Sequence, residues 1–113
     1  MLAEGREMDE AAFNVLAEEE VALIEAALET AGVDIDLLPG GVLQAEFDDG
    51  SQMVINRHSA AREIWVAARL GGFHFGFEAG GWRASRDGAE LWQTLTRLAT
   101  AQAGHAIELV RAT

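Results

Sequence analysis

The period of the hydrophobic pattern changes twice along this chain, and that change limits the fold more than any other feature. From Asp9 to Ala31 apolar residues recur at the helical spacing; from Asp34 to about Arg86 they alternate; from Ala89 to Ala103 the helical spacing returns. With Phe13 at 0° and about 100° per residue, Leu16, Ala17, Ile24, Ala27, Leu28 and Ala31 fall within about 60° of it, one apolar stripe. Gly32 follows as a helix stop, and Pro39-Gly40-Gly41 marks the next turn. The alternating stretch divides into six runs: Asp34–Leu38, Val42–Phe47, Gln52–Asn56, Glu63–Ala68, Phe73–Phe77 and Trp82–Arg86. Asp49-Gly50 and Ala79-Gly80-Gly81 read as hairpin turns, so the sheet is antiparallel. Asp87 is the expected N-cap of the second helix and Gly104 its stop, with Ile107, Leu109 and Val110 as an apolar tail.

Helix, six strands, helix is an α+β order, and the expected architecture is a two-layer sandwich with both helices on one face of the sheet. Strand parity sorts the side chains. Leu43, Ala45, Phe47, Met53, Ile55, Ile64, Val66, Phe73, Phe75 and Phe77 belong beneath the helices. Gln44, Glu46, Val54, Asn56, Trp65, His74 and Arg83 belong on the other face. Trp65 is the exception in that polar set. Ile64 and Val66 both require the buried side, so a register that buried Trp65 would expose them. Glu20 is the exception in the helix, falling at about 340° inside the apolar stripe. It is expected where the helix overhangs the core, because burial without a partner is costly.

Residues 1–113 are expected to form a single domain, since about 150 residues make one, with residues 1–7 a disordered extension. Eight basic against nineteen acidic residues give a net charge of −11. Such a chain repels phosphate backbones and anionic membranes and attracts cations or basic protein surfaces, which argues against nucleic-acid binding. The absence of cysteine removes disulfides, thiolate catalysis and cysteine-ligated metal centres. No stretch approaches the ~20 apolar residues of a membrane span. Met1–Glu10 lacks the apolar core of a signal peptide, so the expected location is cytoplasmic.

Two constellations carry candidate chemistry. The first is an acidic line, Glu18, Glu25 and Glu29, at about 140°, 120° and 160° on the helix wheel, continued by Asp34 and Asp36. Like charges three or four residues apart destabilise a helix, and no basic residue interleaves in sequence. Carboxylates are hard ligands for iron, calcium, magnesium or manganese, but no closed cage such as an EF-hand loop is present. A metal here would be held at the surface, weakly, by few protein ligands and much water. The second is Trp65 on the uncovered face, an interface anchor with Asn56 and Arg57 as its polar rim. Asp48-Asp49-Gly50 is turn chemistry. His58, His74 and His105 read as scattered surface residues. The glycine pairs lack a phosphate-loop context, and no serine has a nucleophile's surroundings.

The stretch from Gly40 to Phe75, GGVLQAEFDDGSQMVINRHSAAREIWVAARLGGFHF, resembles the frataxins, and the bacterial CyaY-type members most closely. FDDGS, VINR, IWVA with Trp65, GGFHF and GGWR with Trp82 occur in the family's order, followed by LWQTL and ATAQAG in the last helix. The resemblance runs from Met8 to about Leu109. It implies an α–β sandwich and a non-enzymatic, iron-binding accessory role in iron–sulfur cluster assembly. By the same resemblance Glu25, Glu29, Asp34 and Asp36, with Glu10 and Glu18 nearby, form an acidic ridge. The resemblance implies that this ridge binds Fe²⁺ or Fe³⁺ weakly and meets a basic surface on a cysteine desulfurase. Asn56 and Trp65 face the desulfurase–scaffold assembly, and the chain is expected to be a monomer. His58 stands where the family usually has glutamine. The alternative reading is a metal-independent, acidic protein-interaction module that inhibits its partner. An iron oxidase is disfavoured, because no two-histidine, one-carboxylate set can be assembled from the sequence.

Overall fold

The structure, a computed structural model, describes residues 8–112; the extension expected at residues 1–7 lies outside them. Helix α1 spans Glu10–Thr30, capped by Asp9, whose carboxylate accepts the Ala12 N–H at 2.8 Å. Strands β1 (Asp34–Leu38), β2 (Val42–Glu46), β3 (Gln52–His58), β4 (Glu63–Ala68), β5 (Gly71–Glu78) and β6 (Gly81–Ala84) follow, then α2 (Leu91–Ala103). The sheet is antiparallel throughout, in sequence order, with β1 and β6 at its edges. Every strand pairs with its chain neighbour, as sequential hairpins require. Ala79 and Gly80, at φ +55° and +80°, make the β5–β6 connection a two-residue turn of the primed type.

Both helices cover one face, and the core lies between them and the sheet. Phe13, Ala17, Ile24 and Leu28 from α1 meet Leu43, Ala45, Met53, Ile55, Ile64, Val66 and Phe75 from the sheet. From α2, Leu91, Leu95, Leu98 and Ala99 complete it, with Trp82 from β6. Removing one of these large side chains would cost about 2–5 kcal/mol. The parity assignment holds in the strands it covers, β2 to β6, although Phe73 and Phe77, toward the ends of β5, are only partly buried.

Several expected boundaries shift. β3 continues two residues past Asn56 and β6 stops at Ala84. The N-cap of α2 is Glu90, whose carboxylate accepts the Gln93 N–H at 2.9 Å; Asp87 instead closes a turn through the Ala89 N–H. The tail docks through Ile107 and Leu109, while Val110 points to solvent. Gln102, buried on α2, ties the helix to two hairpins. It accepts the Arg69 N–H and donates to the Ser51 hydroxyl and the Gln52 carbonyl.

Glu20 overturns its expectation. It does not overhang the core but is 4% exposed, and every demand of its carboxylate is met. The Trp92 indole N–H donates to it at 2.6 Å, and the Arg111 guanidinium closes a two-point fork at 2.8 and 2.9 Å. Burial pushes the carboxyl's pKa up, but the hydrogen bonds from Arg111 and Trp92, with the guanidinium's charge, more than cancel this and hold it below the ordinary glutamate value. One acid thus joins α1, α2 and the tail.

Candidate functional site

The face left bare by the helices is built around Trp65. β4 turns Glu63 and Trp65 to this side, β3 turns Asn56 and His58, and β5 turns His74 between Gly72 and Gly76, which have no side chains to crowd it. The register sets Trp65 between Asn56 and His74, and sets His58 opposite Glu63. The indole is therefore sandwiched. Its ring lies 3.9 Å from the His58 ring and 4.3 Å from the His74 ring, centroid to centroid, with interplanar angles of 10° and 11°. Its N–H donates to Glu63 Oε1 at 2.8 Å, and His74 Nδ1 lies 3.7 Å from the same oxygen. His58 Nδ1 accepts the Ala61 N–H at 3.3 Å, which fixes that ring from the loop side. Each stacked pair is worth about 0.5–1.5 kcal/mol beyond area burial, so the indole is half-buried and held in one orientation.

Trp65 and Asn56 stand together as the sequence implies. Arg57 does not join them. With β3 extended to His58, parity turns Arg57 to the helix side, where its guanidinium meets Glu18 at 2.9 Å. It also lies against Gly41, where a Cβ would come within 3.3 Å of the guanidinium. Sequence reasoning missed the two histidines and Glu63. The signal was available in the register: closing the β4–β5 hairpin at Arg69-Leu70 pairs Trp65 with His74.

The acids occupy two adjoining places. Glu18, Glu25 and Glu29 lie on the outward side of α1, Glu25 half-buried and the other two exposed. Asp34 and Asp36 lie on edge strand β1 with Ile35 turned inward between them, so they share the bare face with Gln44 and Glu46. The three residues between α1 and β1 bring the two groups to one corner. Glu18 is neutralised by Arg57, contrary to the expectation that no basic residue relieves the line; an exposed pair of this kind adds only about 0–1 kcal/mol. Glu25, Glu29, Asp34 and Asp36 have no ion-pair partner among the described residues. Two positions are unfavourable as they stand. Glu29 lies in the last turn of α1, at the negative end of the helix dipole, and Asp34 is directly opposite Glu46. Among the described residues no three carboxylates or imidazoles converge tightly enough to enclose a metal ion. Asp49, by contrast, is spent on its turn, accepting the Ser51 N–H and pairing with Arg69.

Two helices on one side of a six-stranded antiparallel meander, with a bare face centred on an indole and an acidic corner that lacks ion-pair partners among the described residues, define a two-layer α–β protein. Comparison with known proteins narrows the class. The family model for the frataxin-like domain matches residues 6–105, and the chain belongs to the frataxin-like family. A Dechloromonas aromatica protein named iron-sulfur cluster assembly protein CyaY is 56% identical over 104 residues, covering 90% of this chain and 99% of its own length. Its namesake from Vibrio vulnificus is 40% identical over 102 residues, covering 89% and 98%. Among solved structures, frataxin from Psychromonas ingrahamii superposes with a TM-score of 0.81 at 26% identity, covering 92% of this chain and all of that one. Trimeric yeast frataxin complexed with ferrous shares the fold at a TM-score of 0.62 and 23% identity, covering 86% and 88%.

Proposed function

We propose that this protein is a non-catalytic accessory factor of iron–sulfur cluster assembly, docking on a cysteine desulfurase and its scaffold protein and carrying iron as weakly held cargo. The relatives' names supply the process. The observation that carries the docking is the acidic corner. Glu29 and Asp34 stand where they cost stability and have no ion-pair partner among the described residues to offset them, which is expected of groups that serve a basic partner rather than the fold. Glu25, Glu29, Asp34 and Asp36 are the proposed docking acids, with Asn56 and Trp65 supplying shape-specific contact beside them. For iron the same carboxylates offer hard oxygen donors in an open arrangement. Water would complete the coordination, so binding is weak and the ion easily handed on. Glu18 contributes least, because Arg57 holds it.

A second reading is favoured by one specific observation: no three donors converge on a single point among the described residues. On that reading the protein docks and inhibits with no metal role. Mixing the full chain with purified desulfurase, with and without Fe²⁺, tests both. Complex formation is expected in either condition, and Fe²⁺ alone is expected to broaden the NMR signals of Glu25, Glu29, Asp34 and Asp36 selectively. Docking without selective broadening leaves the metal-free reading; no docking removes the proposal.

A further inference from the structure

Outside the proposed docking surfaces, two arginines line a cleft between the start of β5, the turn after β6 and the first half of α2. All eight basic side chains of this chain are arginines, outnumbered by nineteen acids. In such a chain an arginine readily finds a carboxylate, and Arg57, Arg69 and Arg111 do so. Arg62 is spent on the carbonyls of Met8 and Ser59. Arg83, on the opposite face of the sheet, takes neither course among the described residues, and nor do Arg86 and Arg97. Their guanidinium carbons lie 6.0 and 5.9 Å from the centre of one ring, that of Phe73, and neither forms an ion pair among the described residues. The three side chains line one cavity of about 110 Å³ together with Ser85 and Thr94.

The geometry points to a binding site for a small oxyanion, the phosphate or carboxylate group of a low-molecular-weight ligand, held between Arg86 and Arg97. The Phe73 ring steadies both cations through its face, so less side-chain freedom is lost when an anion arrives. Guanidinium forks match the paired oxygens of phosphate and carboxylate, and the Ser85 hydroxyl adds a donor on the cleft wall. The Thr94 hydroxyl is committed to the Glu90 carbonyl at 2.9 Å and closes the floor. Asp87 also lines the cleft, its carboxylate accepting the Ala89 N–H at 3.0 Å. It lowers the local charge to a single net positive, which suits a small anion. Size agrees, since drug-sized ligands occupy roughly 300–1,000 Å³ and this cavity is well below that. A polyanion is disfavoured, because a net charge of −11 repels a long phosphate chain before it reaches the cleft. The inference does not depend on the assembly role.

The test is titration of the ¹⁵N-labelled full chain with inorganic phosphate and, separately, with citrate, at constant ionic strength against a chloride control. Saturable shifts are expected at Phe73, Ser85, Arg86 and Arg97 with at least one of the two anions, and which one responds identifies the oxyanion. Arg86→Gln and Arg97→Gln should each weaken binding about tenfold, the loss expected when a charge-assisted hydrogen bond is removed. Arg83→Gln, which removes a cation from the opposite face of the sheet, should leave it unchanged. No saturable shift with either anion, or equal weakening by Arg83→Gln, overturns the site. Preserved NMR dispersion in each variant excludes misfolding as the cause.

Discussion

A single side chain, Glu20, shows how one buried charge can be affordable. Its carboxylate is desolvated, but three donors from Trp92 and Arg111 replace the lost water. Glu20→Ala would strand the buried Trp92 N–H and free the tail, and is expected to lower stability by about 2–3 kcal/mol in urea unfolding. The pH dependence follows from the direction of its pKa. The folded-state pKa lies below the ordinary 4.5, so the unfolded chain takes up the proton first as pH falls. The stabilisation is complete above 4.5 and is lost as pH drops through the folded-state value. Unfolding measured from pH 6 to pH 3 should show Glu20→Gln with a shallower acid limb than the native protein. The position of Glu20 in the apolar stripe was legible in the sequence; its partners, 72 and 91 residues away, were not.

At the level of elements, β4 carries two duties on alternate residues. Ile64 and Val66 fill the core, while Trp65 stands on the uncovered side. Trp65→Ala should therefore keep the far-UV spectrum and a cooperative transition, with a loss of about 1–3 kcal/mol from the two stacks, while weakening capture of the desulfurase. A collapse of the fold would show that the indole belongs to the core. Strand order and facing were legible because the period of two, interrupted by Asp49-Gly50 and Ala79-Gly80, leaves few ways to pair the runs. Arg57 was misread for a local reason. Ending its strand at Asn56 released it from parity, whereas the two further residues of β3 direct it to Glu18. The histidine pair was missed because it exists only across strands: His58 and His74 are sixteen residues apart in sequence and share one ring in space.

For the whole molecule, the distribution of charge matters more than its total. Three of the acids are tied to arginines, and those at the α1–β1 corner are free among the described residues. Association with a basic partner should be fast and salt-sensitive. Replacing Glu25 and Glu29 together by alanine is expected to slow the on-rate about threefold to tenfold at low salt, with little change in dissociation. By stopped-flow the difference should vanish near 1 M salt, where charges are screened within about 3 Å. An unchanged on-rate would remove the corner from docking. Composition made the chain's own acidic balance legible, but not which carboxylates were already committed, since that depends on side chains meeting across layers.

The three indoles of this protein are also unequally placed. Two lie sealed in the interior, and the third is clasped between imidazoles on the side a partner would cover. The protein thus carries a built-in optical probe on its uncovered sheet face. Its emission answers to whatever displaces the clasping rings, while the interior pair supplies an internal standard for the integrity of the fold.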